Sequence, residues 1–309
     1  MEQQLTRIAV KIGSNVLTRR DGTLDVTRMS ALVDQIAGLH KAGVEIILVS
    51  SGAVASGRSE IHPTKKLDSV DQRQLFSAVG QAKLINRYYE LFREHGIPVG
   101  QVLTMKENFG TRRHYLNQKN CMTVMLENGV IPIVNENDTI SVSELMFTDN
   151  DELSGLIASM MDVQALIILS NIDGIYNGSP ADPASEVIRE IEHGKDLSSY
   201  IQTSKSSFGR GGMLTKTNIA RKVADEGITV IIANGKRDNI LTDILRNEEL
   251  RMKNEELKYT RFIPSPEPVS SVKKWIAHSE GFAKGELHIN ECATKILASD
   301  KAVSILPIG

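Results

Sequence analysis

Six short apolar runs, rich in Val and Ile, mark the chain at Arg7–Ile12, Glu45–Val49, Ile97–Leu103, Val130–Val134, Ala165–Leu169 and Thr229–Ala233. Each is nearly continuous rather than alternating, the pattern of strands buried on both faces of a parallel sheet. Between them apolar residues recur at helical spacing. Thr27 is expected to cap a helix reaching about Ala42, with Gly43 as its stop. Asp68 opens a longer pattern through Leu75, Val79, Leu84 and Leu91 that ends near Gly96. Further helices are predicted at about 111–128, 151–161 and 215–226. Alternation of this kind implies an α/β fold, a three-layer αβα arrangement around an open, mostly parallel sheet. Ligands of such sheets bind at the carboxyl ends of the strands. The segments that follow the strands are GSN, SSGA, NEND, SNIDG and ANG, all small, polar or glycine-bearing.

The pattern breaks near residue 250. Arg251–Lys258 is charged, and Pro264, Pro266 and Pro268 then punctuate the chain. Residues 1–258 therefore read as the main domain, 259–272 as a linker and 273–309 as a small incomplete appendage. In the appendage a strand is predicted at Glu286–Ile289, a helix at about 291–298 and a strand at Ala302–Leu306. A segment this short does not bury a core of its own.

Composition narrows the function classes. A net charge of −2 gives no basic field for nucleic acid. Cys121 and Cys292 are the only cysteines and lie far apart, which excludes a disulfide framework or a Cys-based zinc site and fits a reducing compartment. The opening MEQQLTRIAVKIG lacks a basic region followed by an apolar core, and no apolar run approaches a membrane span. A soluble, cytoplasmic protein is expected. The seven histidines fall in no metal or triad spacing.

The candidate chemistry lies in the loops. G-x-x-x-x-G-K-[ST] is absent, and no G-x-G-x-x-G joins a strand to a helix. Gly209-Arg210-Gly211-Gly212-Met213-Leu214-Thr215-Lys216 offers backbone amides and a helix N-terminus to an anion. Lys216 stands in that helix's first turn, where the dipole disfavours a cation unless an anion is bound. A glycine-rich surface loop with a solvated lysine is the plainer alternative. Lys11 interrupts an apolar strand, and either enters the cleft at the strand's carboxyl end or faces water from an edge strand. SSGA at Ser50–Ala53 presents hydroxyls and amides, or is simply a tight turn. Asn135-Glu136-Asn137-Asp138 holds acceptors suited to an ammonium group, or is an ordinary polar loop. Asp149-Asn150-Asp151 caps a helix, holds lysines or holds magnesium.

Taken in order, VKIGSNVLT, VSSGAVASG, IVNENDT, TDNDELS, LSNIDGIY and GRGGMLTK resemble the amino acid kinase family across about residues 7–235. SSGAVASG, NEND and DNDELS are most similar to members that phosphorylate the γ-carboxylate of L-glutamate at the first step of proline biosynthesis. The resemblance implies ATP as donor, with Mg²⁺ carried by ATP rather than held by protein ligands. It assigns ATP phosphates to Lys11 and Arg210–Lys216 (Arg210, Gly211, Gly212, Met213, Leu214, Thr215, Lys216), and places Ser170 and Asn171 near the nucleotide. Glutamate falls to Ser51, Asp138 and Asn150, with Asn135 as an addition. Asp151 matches the aspartate that holds the two lysines, making Lys11, Lys216 and Asp151 the implied catalytic set. Ser170-Asn171 departs from the family's common Thr-Asp, and Arg210 replaces a small residue. The tail GELHINECATKILASDKAVSILPIG resembles the start of a PUA module. The family also implies a homo-oligomer, dimer or tetramer, and feedback inhibition by proline. The alternatives are a family member with a different carboxylate or phosphate acceptor, or a non-catalytic ligand sensor. Retention of Lys11, Asp151 and Lys216 argues against the sensor.

Overall fold

The computed structural model describes residues 5–141, 147, 149–195, 213–250, 257–267, 269–278, 290–291 and 294–295. Its strands are β1 (Arg7–Ile12), β2 (Glu45–Ser50), β3 (Val99–Thr104), β4 (Ile131–Glu136), β5 (Ala165–Ser170), β6 (Glu190–Ile191), β7 (Thr229–Asn234) and β8 (Tyr259–Phe262). The helices are α1 (Ser14–Leu17), α2 (Val26–Lys41), α3 (Ala53–Arg58), α4 (Ser69–Glu94), α5 (Glu107–Gly110), α6 (Arg112–Glu127), α7 (Asn150–Met160), α8 (Met213–Asp225), α9 (Ile240–Leu250) and α10 (Ser271–His278). All six apolar runs form strands. With β6 and β8 they build an eight-stranded sheet of order β3-β4-β2-β1-β5-β7-β8-β6, parallel except where β8 lies antiparallel to β7.

Two apolar clusters cover the faces. Ile8, Val10 and Ile12 pack with residues of α2, α4 and α9 on one side. Ala9, Ile47 and Val49 pack with residues of α6, α7 and α8 on the other. That double coverage is why the strands read as continuous apolar runs. In the parallel register Ile12 lies opposite Ser50 and Leu169, so Gly13, Ser51 and Ser170 emerge along one edge.

Element ends follow local chemistry. Asp68 caps α4 by accepting from the backbone N–H of Val70 at 2.8 Å and Asp71 at 2.9 Å. The cap of α2 is Asp25, not Thr27: the helix begins at Val26, and the Asp25 side chain accepts from Arg28 N at 3.1 Å. Gly43 and Gly96 take positive φ just beyond α2 and α4, as helix-ending glycines do. The sequence pattern did not signal α9, whose Ile240, Leu241, Ile244 and Leu245 are buried.

Two elements lie beyond residue 258, in the segments expected to be linker and appendage. Tyr259–Phe262, assigned to the linker, is a sheet strand paired to β7 from Val230↔Phe262 to Ala233↔Tyr259. Thr260 is fully buried, and its hydroxyl donates to Ile188 O at 2.7 Å and accepts from Ile175 N at 2.8 Å. The neighbouring charges and prolines hid this short strand, because only tertiary pairing supplies its partner. Residues 271–278, most of them assigned to the appendage, form α10, which docks on the main body. Lys274 Nζ meets Asp162 Oδ1 at 3.0 Å, Trp275 Nε1 donates to Phe109 O at 3.0 Å, and His278 Nε2 meets Glu226 Oε1 at 2.6 Å. Glu291, Thr294 and Lys295 are helical, within the helix predicted at about 291–298. The strands predicted at Glu286–Ile289 and Ala302–Leu306 lie outside the described residues.

Helices α3 and α4 touch backbone to backbone. A Cβ on Gly80 would stand 1.8 Å from Ala53 O, and one on Gly57 1.8 Å from Phe76 O. Neither neighbour is a movable side chain. Gly80→Ala should therefore destabilise the protein by roughly 2–3 kcal/mol in urea denaturation; a loss below about 0.5 kcal/mol would mean the helices part at little cost.

Candidate active site

The carboxyl edge of the sheet encloses an open cleft of about 1450 Å³. Lys11 reaches it from the central strand β1. It shares the sheet face of Ala9, the face that α7 covers, and is only 4% exposed. An edge position facing water is thereby overturned. α7 aims its N-terminus at the same point. Asp149 caps that helix, Oδ1 accepting from the backbone N–H of Asp151 at 2.9 Å and Glu152 at 3.1 Å. Capping and lysine binding, which the sequence offered as alternatives for this tripeptide, are divided between two of its residues.

Asp151 is fully buried. Its Oδ1 lies 2.5 Å from Lys11 Nζ and its Oδ2 2.7 Å from Lys216 Nζ. Burial pushes the Asp151 carboxyl up, but the two ammonium groups outweigh burial and hold it below the usual carboxylate range. Lys216 occupies the first turn of α8, which starts at Met213 rather than near Thr215. The anion that its place on the helix dipole demands is Asp151 itself. For neighbouring Asp149, burial and then the charge of Asp151 push the carboxyl up, and its Oδ2 is buried without a hydrogen-bond partner among the described residues.

Ser170, Asn171 and Met213 line the cleft, while Leu214 is 52% exposed. Thr215 follows in the first turn of α8. Arg210, Gly211 and Gly212 lie outside the described residues. On the opposite wall, Asn150 Nδ2 reaches Ser51 Oγ at 2.9 Å, Asn135 Oδ1 at 3.0 Å and the Ser50 carbonyl at 3.3 Å. Gly52 holds a left-handed φ of 111° between Ser51 and α3, a conformation that favours glycine. Three residues singled out from separate loops, Ser51, Asn135 and Asn150, thus form one cluster.

Asp138 lines the same cleft with a partner that sequence reasoning missed. Arg73 Nε donates to Asp138 Oδ1 at 2.6 Å, and Arg73 Nη2 to Glu136 Oε2 at 2.7 Å. Burial pushes Asp138 up and Arg73 pulls it back; Glu136 is pushed up by burial and then by the charge of Asp138. Two other supports were missed: Gln81 Oε1 accepts from Asn135 Nδ2 at 2.8 Å, and the Tyr88 hydroxyl meets Ser50 Oγ at 2.8 Å. Arg73, Gln81 and Tyr88 all come from α4, at spacings near two helical turns, so they share one face. Polar groups recurring along the buried stripe of a long helix were the available signal.

The site's charges divide. Two lysines with one aspartate occupy one part of the cleft, and two carboxylates with one arginine occupy another. Such a cleft can receive an anion and an ammonium group together. Among the described residues, no group of three or more His, Cys, Asp or Glu side chains is placed to hold a metal ion.

The amino acid kinase family model matches residues 6–234. The chain is 86% identical over 309 residues to the glutamate 5-kinase of Bacteroides thetaiotaomicron, covering 100% of this chain and 84% of that protein. It is 48% identical over 305 residues to the glutamate 5-kinase of Chlorobaculum tepidum, covering 98% and 81%. The fold matches the UMP kinase of Ureaplasma parvum with a TM-score of 0.55 at 16% identity, over 84% of this chain and 100% of that one. It matches isopentenyl phosphate kinase with a TM-score of 0.56 at 17% identity, over 83% and 99%. At these identities the two structures bear on the fold alone, an open sheet between helical layers.

Asp151→Asn would strand two nearly buried ammonium groups. It should cost about 3–5 kcal/mol at neutral pH by urea denaturation. Because the folded-state pKa of Asp151 is depressed, its contribution is complete above the unfolded value and is lost as pH falls through the folded one. The gap between variant and wild type should therefore close under acid conditions, below about pH 4. A gap independent of pH would contradict the ion-pair account.

Proposed function

The chain belongs to the amino acid kinase family, and from that premise we propose that it transfers the γ-phosphoryl group of ATP to the γ-carboxylate of L-glutamate. The product is L-glutamyl 5-phosphate, and the reaction opens proline biosynthesis. The observation that carries this reading is Asp151 drawing Lys11 and Lys216 together on a cleft whose other wall is polar and acidic. The glutamate 5-kinase relatives, 86% and 48% identical, favour glutamate over other acceptors and catalysis over ligand sensing.

The acceptor carboxylate is already ionised at neutral pH, so the reaction requires no general base. Asp151 suits that requirement: its oxygens are taken by lysines and its pKa is low, which makes it a poor base and a firm anchor. What the chemistry needs is charge neutralisation, because two anions must meet. Lys11 and Lys216 supply it, stabilising the moving phosphoryl group from opposite sides. The α8 N-terminus presents Met213–Lys216 to the phosphates; Arg210, Gly211 and Gly212, outside the described residues, take the same role by the family resemblance. Ser170 and Asn171 contact the nucleotide.

Asp149, on the cleft wall with its Oδ2 buried and without a hydrogen-bond partner among the described residues, would be the carboxylate to help hold a Mg²⁺ ion carried in with ATP. Once bound, Mg²⁺ adds positive charge at the phosphate oxygens. Ser51 and Asn150, joined by Asn135, hold the acceptor, and Asp138 takes its ammonium group.

This reading extends to a cytoplasmic homo-oligomer, dimer or tetramer, that proline inhibits, with the segment beyond α10 as the opening of a PUA-like module. No helix among the described residues is long and apolar enough to cross a membrane. Tyr89, Leu116 and Val124 are exposed apolar residues available to a subunit contact.

Glutamate-dependent ADP release, with hydroxylamine trapping of an acyl phosphate, tests the activity; neither signal under saturating Mg-ATP would end the proposal. Lys216→Ala should lower kcat on the order of 10²-fold or more, and near-normal turnover would remove Lys216 from the mechanism. Asp138→Ala should raise KM for glutamate and leave KM for ATP unchanged, as steady-state titration of each substrate would reveal. Parallel loss of both would point to misfolding instead.

A further inference from the structure

Arg73 stands between two carboxylates on the cleft wall. Glu136 and Asp138 have side chains only 3% and 9% exposed, whereas Arg73 is 26% exposed and opens onto the cleft. Glu136 is committed on both oxygens: Oε2 to Arg73, Oε1 to the Ser141 hydroxyl at 2.9 Å and the Phe147 backbone N–H at 3.0 Å. Asp138 gives Oδ1 to Arg73 at 2.5–2.6 Å, which leaves Oδ2 for a ligand. Among the described residues of this wall, two carboxylates and one guanidinium sum to −1, which one ammonium group balances. Without the guanidinium, two buried like charges would share a wall, and one would take up a proton.

We propose that Arg73 is a positioning residue that sets acceptor specificity, keeping Asp138 ionised with one oxygen turned to the α-ammonium group of an amino acid. This rests on glutamate being the acceptor. It goes further by placing discrimination against amino-less dicarboxylates in a residue of α4 that touches the acceptor only through Asp138. A guanidinium is suited to the task because its planar fork reaches two carboxylates at once, which a lysine ammonium does less well. Burial already pushes both carboxyls upward and Arg73 opposes it, so removing Arg73 moves the ionisation that ammonium binding requires to higher pH. The other charged groups lining the cleft are Lys11 from β1, Arg19 and Arg20 after α1, Asp25 and Arg28 at the start of α2, Asp149 and Asp151 at the start of α7, Lys216 from α8 and Lys236 after β7. These are the same in wild type and variant, so a difference between the two reports on Arg73.

The test is steady-state kinetics of the full chain with glutamate and with glutarate across pH. Arg73→Gln should raise KM for glutamate roughly tenfold or more at about pH 7, the loss expected when a charge-assisted contact goes. KM for ATP should stay within about twofold. KM for glutamate should then fall as pH rises toward about 8.5, since Asp138 must ionise to accept an ammonium group, while the wild-type value stays nearly flat. The preference for glutamate over glutarate should narrow, and Arg73→Lys should restore most of the flat profile. A pH-independent rise that lysine does not rescue would make Arg73 a mere clamp, and an unchanged KM would overturn the proposal outright. Should Arg73→Gln lack a cooperative unfolding transition, Arg73→Met takes its place in the same titrations: a pH-dependent, selective rise in KM for glutamate supports the role, and an unchanged KM refutes it. Wild type inactive on glutamate would instead refute the acceptor assignment itself.

Discussion

The site depends on one buried carboxylate. Asp151 is fully enclosed and holds an ammonium group on each oxygen, one from the central strand and one from a helix some two hundred residues further along. Enclosing charges costs several kcal/mol each unless geometry and partners compensate. Here the compensation comes from two places: the lysines and the N-terminus of α7 with its favourable dipole. The result is a pair of cations set before any ligand arrives. Preorganisation of this kind is what a reaction between two anions requires, since no reorganisation is then needed as charge develops.

The wall proposed to receive the acceptor follows from a different constraint, the contact of α4 with everything around it. Its glycine-mediated approach to α3 sets the height of Ser51 and Gly52, and Tyr88, Gln81 and Arg73 support Ser50, Asn135 and the acidic pair in turn. One long helix thereby registers the last residues of two strands, Ser50, Asn135 and Glu136, and Asp138 in the loop beyond. The cleft gains two regions of opposite sign, matching a substrate with an anionic reacting end and a cationic recognition end.

The C-terminal part of the body is also held by charge. Asp162, at a positive φ of 50°, takes Lys119 and Lys274, and the two lysines outweigh the upward push of burial to hold its carboxyl low. Arg112 lies over both Tyr115 and Trp275, at 5.3 and 5.4 Å, and so ties α6 to α10. With β8 completing the sheet beside β7, the folded body continues well past the charged tract that looked like its end.

Local chemistry alone determined the sheet. Six continuous apolar runs were strands because covering a sheet on both faces leaves no polar alternation, and Asp68, Gly43 and Gly96 marked helix ends through short-range geometry. The ordered motifs, through their resemblance to the amino acid kinase family, named Lys11, Lys216, Asp151, Ser51, Asn135, Asn150 and Asp138, and for Ser51, Asn135 and Asp138 a place at the end of a buried strand pointed to the carboxyl edge as well. Tertiary structure decided who pairs with whom. Lys11 looked equally suited to water until β1 proved central, and the apparent dipole conflict at Lys216 was resolved by an aspartate sixty-five positions away. Arg73, Gln81 and Tyr88 carried no motif, since their partners lie on other strands and loops. β8 was invisible for the same reason: four residues become a strand only when β7 offers its hydrogen bonds. Periodicity reports what an element buries, but ion pairs and strand partners are long-range contacts, and only the folded chain brings them within reach.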